Sequence, residues 1–338
     1  MAANIDWNHI GFGYVKTRAN VRCSFDGKQW SPLTVTEDEY IHMHMSTVCL
    51  HYGVEAFEGL KAFRGVDGKV RLFRADENAL RLQSSAKKLC MTPLPVETFV
   101  EACVRLVKEN IDYVPPYESG ASLYLRPMIY GSRVALGVHA CPETDFIVFC
   151  SPVGPYFKGG MQMIKVVIDR VQDRAAPRGT GDIKAGGNYA SSLLSGEKAN
   201  RMGYENVMYL DAAEHKYIEE CGAANFFGIK DGTYVTPLSQ SVLPSITNKS
   251  LRTLAEDMGL KIEQRRIPVE ELKTFSEAGA CGTAAVIAPI GSIYDLDTKE
   301  YVEYGKEPGP VSKELYKQLR DIQYGRAEDK YGWCTIVE

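Results

Sequence analysis

The stretch GPYFKGGMQ, residues 154–162, sets one proline and three glycines near the middle of a 338-residue chain. Glycine and proline at that density interrupt any regular element. The chain also exceeds the roughly 250–300 residues at which a single core stops growing. Two domains are therefore expected: a small N-terminal α/β domain over 1–156, an interdomain linker at 157–163, and a large C-terminal domain over 164–338. Before the break, residues 62–73 alternate around Asp67-Gly68, a tight-turn pair, and predict a hairpin. Ala79, Leu82, Ala86 and Leu89 recur at helical spacing, and Val100, Val104, Val107 and Ile111 predict a second helix over 96–111. Strand-like runs follow at 122–130 and 145–153. After the break, strands at 164–169 and 206–210 flank a helical stretch at 190–202, and a hairpin turns at Asp231-Gly232. A helix over 247–258 takes Thr247 as its cap and stops at Gly259, and a last helix covers 311–322. Strands and helices interleave without a regular βαβ repeat, so the fold class is α+β, in two domains with a cleft between them.

Charge narrows the function classes. Thirty-nine basic residues against 43 acidic ones give a net charge of −4, which argues against a polybasic nucleic-acid or membrane-surface protein. No run approaches the roughly 20 apolar residues of a membrane span, and the first residues lack a secretory signal pattern. The nine cysteines include no C-x-x-C pair, so a reducing, cytoplasmic setting is expected, with most thiols buried as small apolar groups. His42 and His44 would share one face of a strand, with His51 nearby. Nothing completes a ligand set, so hydrogen-bonding histidines are expected and no metal.

P-loop, serine-elbow and zinc patterns do not occur, and the dinucleotide glycine pattern is only half met, by Gly11 and Gly13. Three segments remain. In 174–192, RAAPRGTGDIKAGGNYASS, four glycines surround Lys184. Glycines permit close approach of a ligand, and a desolvated lysine can form a Schiff base. A flexible surface loop with a solvated lysine explains the same residues. In IEECGAANFFGI, residues 218–229, two adjacent carboxylates precede an apolar run. One of them can serve a buried cation such as a protonated ring nitrogen, and an exposed glutamate pair is the plain alternative. In VLPSITNKS, a helix start offers free N–H groups to an anion. Together these segments meet the requirements of pyridoxal phosphate: an imine-forming amine, a partner for the ring nitrogen, and donors for the phosphate.

Several long motifs in order carry a family resemblance from about residue 40 to 335. They are HYGVEAFEGLKAF from His51, LYLRPMIYGSRVALGV from Leu123, KAGGNY from Lys184, ECGAANFF from Glu220, LPSITNKSL from Leu243 and GTAAVIAPI from Gly282. The chain resembles the branched-chain amino-acid aminotransferases, which are fold-type IV enzymes using pyridoxal 5'-phosphate. That resemblance implies a two-domain fold like D-amino-acid aminotransferase, with the active site in the cleft between domains. It implies Lys184 as the Schiff-base lysine and proton shuttle, Glu220 as the partner of the ring nitrogen, and Tyr189 on the phenolic oxygen. Arg81, Ile246, Thr247 and Thr283 would hold the phosphate. Tyr124, Arg126 and the Thr283-Ala284 backbone would hold the substrate carboxylate. The apolar pocket would take Phe57, Gly59 and Tyr156 from one subunit and Tyr52, Leu136 and Val138 from its partner in a homodimer. The substrates implied are leucine, isoleucine or valine with 2-oxoglutarate, and neither nucleic acid nor membrane is an expected partner.

Two departures stand out. Ala285-Val286-Ile287-Ala288 replaces the C-x-x-C of mammalian members, so that redox switch is not expected. Ala223 stands where some relatives place a threonine, which removes one polar contact. D-Amino-acid aminotransferase and aminodeoxychorismate lyase share the fold but lack the extended motif from Leu123. A non-catalytic carrier of the cofactor would have no need of Lys184, Tyr189 and Glu220 together.

Overall fold

A computed structural model describes residues 5–7, 9–157 and 159–337. Lys158, inside the expected linker, lies outside the described residues. The chain divides into two compact units. The first takes the chain up to Tyr156 together with Ile183–Gly186 and the stretch from Asp321 onward; the second takes Phe157–Asp182 and Gly187–Arg320.

In the first unit, seven strands lie in the order Cys334–Val337, Val70–Phe73, Leu60–Arg64, Ser122–Gly131, Thr144–Val153, Asn20–Phe25, Thr34–Thr36, and Glu55–Phe57 also pairs with Ser122–Gly131. All these pairings are antiparallel. The helices Ala75–Lys88 and Val96–Glu109 cover one face and bury Leu82, Phe99 and Leu106 there. Strand alternation then separates two jobs on Ser122–Gly131. Leu123, Leu125 and Ile129 enter the core, which sends Tyr124 and Arg126 to the opposite face.

The second unit is built on a nine-stranded sheet. Six of its strands close on themselves in the order Ile218–Cys221, Asn206–Leu210, Ile164–Ile168, Val286–Asp295, Glu277–Gly282, Ala224–Lys230, because Ala224–Lys230 pairs back onto Ile218–Cys221. Closure removes exposed edges, and here it sets Glu220 directly opposite Asn225. Phe226, Ile290, Ile218 and Met208 fill the core.

Several expected elements shift. The 190–202 helix is two, Gly186–Ala190 and Leu193–Arg201, because Ser191 and Ser192 turn their hydroxyls onto nearby backbone carbonyls. The helix Ile246–Asp257 is capped by Ser245, not Thr247; Ser245 is extended and its hydroxyl accepts from Asn248 N–H. Lys184 packs with the first unit, although the sequence places it in the C-terminal domain. The last residues also return there, since Cys334–Val337 adds a strand and Tyr324 donates to the Gly120 and Ala121 carbonyls. His42 and His44 lie outside any strand; His44 accepts from Ser46 N–H, and His51 bonds the Met45 carbonyl. Among the described residues no cluster suits a metal ion, and no helix is long and apolar enough to cross a membrane.

Candidate active site

The first unit assembles its share of the site around one helix face. Asn78, Arg81 and Ser85 on Ala75–Lys88 are spaced by three and four residues and so point the same way. Glu58 is wholly buried beneath them. Arg81 grips it in a fork, Nε to Oε1 at 2.8 Å and a terminal nitrogen to Oε2 at 2.7 Å. Asn78 adds a bond at 2.7 Å and Gly59 N–H one at 3.3 Å. One turn further on, the Ser85 hydroxyl accepts from Lys184 N–H at 3.1 Å. The Lys184 carbonyl accepts from Phe57 N–H, and Ala185 makes a single antiparallel bridge to Ala56, so the lysine segment lies against Glu55–Phe57. Gly186 completes the clamp: its N–H donates to Glu55 at 2.7 Å, and an added Cβ would sit 2.1 Å from the same carboxylate. Burial raises the Glu55 carboxyl above its ordinary value, opposed by the Gly186 N–H and by Arg126.

The backbone of Lys184 is thus fixed, and its amine lies 4.7 Å from the centre of the Phe57 ring. The Arg126 guanidinium stacks on that ring at 4.7 Å and donates to the Tyr124 hydroxyl at 3.2 Å. Arg126 Nε is buried without a hydrogen-bond partner, which marks it as a donor awaiting an anion. Gly59 makes room for this arrangement, since a Cβ there would stand 2.2 Å from the Tyr124 oxygen. Tyr52, Leu136 and Val138 are each exposed, and the Tyr52 hydroxyl bonds the Leu136 carbonyl. Tyr156 is also exposed.

The second unit holds the other candidates. Glu219 and Glu220 are both buried, which corrects the exposed-pair alternative. A register shift between Ile218 and Glu220 separates their surroundings. Glu219 accepts from the Ser239 hydroxyl, and burial raises its carboxyl. Glu220 instead accepts from Leu243 N–H at 2.8 Å and Asn225 Nδ2 at 3.2 Å. The buried Arg174 brings its Nε to 3.2 Å from the second oxygen, off the N–H axis, so the contact is an ion pair rather than a hydrogen bond. Arg174 is anchored by the Gly181 and Ser241 carbonyls. Ile246 and Thr247 form the first turn behind the Ser245 cap. Thr283 and Ala284 form the turn between Glu277–Gly282 and Val286–Asp295, where Val286 has φ +66°. A left-handed β-branched residue is a strained one. Tyr189 is half-buried on Gly186–Ala190.

Glu58, Arg174, Asn225 and Asn248 escape a reading of the sequence, although a charge in the apolar run Phe57-Glu58-Gly59-Leu60 is a usable signal for the first.

Comparison with known proteins agrees with this chemistry. The model of the class IV amino-transferases matches residues 55–293. The branched-chain-amino-acid aminotransferase of Haemophilus influenzae is 45% identical, covering 99% of both chains, and that of Helicobacter pylori is 46% identical, covering 99% of this chain and 98% of its own. The crystal structure of the Escherichia coli branched-chain amino acid aminotransferase is 30% identical, covers 95% of this chain and 100% of its own, and superposes with a TM-score of 0.79. A T.th. enzyme of the same name, solved with pyridoxamine 5'-phosphate, is 25% identical with a TM-score of 0.78, covering 95% and 100%. Class IV aminotransferases use pyridoxal phosphate. Each unit by itself holds groups such a cofactor uses: the first a backbone-clamped lysine and an arginine braced on a buried carboxylate, the second a carboxylate fed by N–H donors and a capped helix start. The chain belongs to the class IV aminotransferases, among the branched-chain-amino-acid aminotransferases.

Proposed function

We propose that the protein moves the amino group of L-leucine, L-isoleucine or L-valine to 2-oxoglutarate, giving branched 2-oxo acids and L-glutamate in a reversible ping-pong reaction. The grouping of Lys184, Arg126 and Tyr124 about Phe57 carries this reading. A base that moves a proton at an α-carbon needs the substrate carboxylate held close by, and Arg126 offers an unpartnered buried N–H for it. Bound pyridoxal phosphate supplies the carbon that exchanges the amino group and a ring that withdraws electrons. Lys184 would hold the cofactor and serve as the base that moves a proton between the substrate α-carbon and the cofactor. Glu220 holds the proton on the ring nitrogen, and Tyr189 donates to the phenolic oxygen. Arg81, Ile246, Thr247 and Thr283 hold the phosphate. Arg126, Tyr124 and the backbone of Thr283 and Ala284 would orient the substrate carboxylate, and Arg126 or Tyr124 would also meet the side-chain carboxylate of glutamate in the second half-reaction.

Phe57, Gly59 and Tyr156 form an apolar pocket that rejects charged and bulky side chains. In a homodimer, a second copy of this chain supplies Tyr52, Leu136 and Val138 to it. The exposure of all three apolar side chains supports that assignment. A cytoplasmic setting is in keeping with the free cysteines. The test uses both leucine enantiomers with 2-oxoglutarate. L-Leucine alone should yield glutamate, and Lys184→Ala should abolish the yield while keeping the native circular dichroism. Turnover of D-leucine alone, or full activity in Lys184→Ala, would overturn the reading.

A further inference from the structure

A chain of buried side-chain hydrogen bonds joins Glu220 to the first turn of the helix Ile246–Asp257, and its direction can be worked out atom by atom. The Thr236 hydroxyl donates to the Phe226 carbonyl at 2.7 Å, so toward Asn248 Nδ2, 2.8 Å away, it must accept. That orients the Asn248 amide. Its Oδ1 receives the Tyr234 hydroxyl at 2.9 Å, and its other N–H reaches Asn225 Oδ1 at 3.2 Å. Asn225 must then turn Nδ2 toward Glu220 Oε1, at 3.2 Å, and toward the Leu243 carbonyl, at 3.0 Å. Every one of these side chains is buried, and both amides use all their N–H bonds. The Tyr234 hydroxyl also meets the buried Cys281 thiol. Reversing any one link would set two acceptors face to face somewhere in the chain.

We propose that Asn225 and Asn248 are positioning residues for the reaction: by fixing the direction of this relay they keep N–H donors facing Glu220, so that its carboxylate stays an anion toward the cofactor's ring nitrogen. The inference rests on the role proposed for Glu220. Asn248 has a second tie, its backbone N–H to the Ser245 cap at 3.2 Å. One residue therefore sets both the direction of the relay and the start of the helix whose first turn is assigned to the phosphate. Neither asparagine touches the cofactor in this scheme; they act through Glu220.

The test is Asn248→Asp, nearly equal in volume but lacking the amide donors. Asn225 then turns its N–H groups toward the new carboxylate and presents Oδ1 to Glu220. Acceptor then faces acceptor, which favours a proton on Glu220 and opposes the Leu243 N–H and Arg174, which stay in place to hold the anion. The reading is the ¹⁵N resonance of ring-labelled pyridoxal phosphate in the holoenzyme, which reports whether the ring nitrogen carries a proton, together with the dissociation constant of the apoprotein for the cofactor. The expected result is a shift toward the unprotonated ring and cofactor binding weaker by about tenfold or more, the scale of one hydrogen bond to a charged group. If Asn248→Asp does not fold, Asn225→Ala removes the same donor and should give the same shift. An unchanged resonance with affinity within about twofold of the wild type would overturn the proposal. Glu220→Gln separates the two levels of the argument. A ring that stays protonated in Glu220→Gln sinks the role of Glu220 itself, whereas a ring that loses its proton there but keeps it in both asparagine variants sinks the relay alone.

Discussion

Removing the Glu58 carboxylate should be among the most damaging single changes in the first unit, and the structure allows the loss to be sized. Glu58 is fully buried and accepts from both arms of the Arg81 fork, from Asn78 and from Gly59 N–H. The Arg81 side chain is itself only 10% exposed, so Glu58→Ala leaves a guanidinium in a dry site without its counter-charge. Breaking one side of a buried pair costs about 3–5 kcal/mol. For a unit of this size each kcal/mol moves the midpoint by roughly 2–4 °C, so its transition should fall by about 6–20 °C. Arg81→Ala should cost a similar amount, because it strands the carboxylate instead. The double variant should lose much less than the sum, with a coupling of ~3 kcal/mol. The assay is thermal unfolding of the four apoproteins followed by circular dichroism. Adding inorganic phosphate should recover part of the loss in Glu58→Ala, since an anion again faces Arg81. Losses that simply add, with a coupling below about 0.5 kcal/mol, would refute the reasoning.

Other expectations follow from the same geometry. Arg126→Leu should lower kcat/KM for L-leucine about 10–150-fold through the loss of a charged hydrogen bond, leaving cofactor affinity unchanged; Arg126→Lys should not restore it, because a point charge cannot replace the fork. An equal loss of cofactor affinity would show that Arg126 serves the phosphate instead. Burial raises the Glu55 and Glu219 carboxyls, so the native state holds more protons than the unfolded chain just above the ordinary carboxylate range. Their contribution to stability is complete below about pH 4 and is lost as pH rises through their native values. Glu55→Gln and Glu219→Gln should flatten that decline in urea titrations between about pH 4 and 7, and an unchanged slope would show that burial is not its source.

Periodic features were legible in the sequence. The helix expected at 96–111 is Val96–Glu109, and the strand expected at 206–210 is Asn206–Leu210. The helix buries Phe99, Ala102, Cys103, Leu106 and Val107, however, which leaves Val100 and Val104 half-buried at the border and Ile111 exposed beyond its end. Both signals are local, since a repeat of 3.6 or 2 residues marks the type of element even where the exact buried face is set by its neighbours. The long motifs likewise carried the family, which the comparisons show. What escaped depends on partners far along the chain. Arg81 reads as a solvated helix arginine until Glu58, 23 residues earlier, is placed beneath it. Lys184 follows the linker in sequence, yet its backbone bonds to Ser85 and Phe57 draw it into the first unit. Ser245 and Thr247 are equally good caps on paper, and only the extended backbone at Ser245 decides between them. The adjacent glutamates look like a surface pair because nothing local announces that the strands close into a ring around them.

The central claim is that Lys184 forms the bond to pyridoxal phosphate in an enzyme that accepts branched L-amino acids and returns the amino group to a 2-oxo acid. The visible absorption spectrum of the purified holoprotein tests it most directly. The expected result is a band of the lysine-bound cofactor that bleaches on adding L-leucine and returns on adding 2-oxoglutarate, with no such band in Lys184→Ala. A band that ignores L-leucine but responds to a D-amino acid, or no band even after incubation with pyridoxal phosphate, would contradict it.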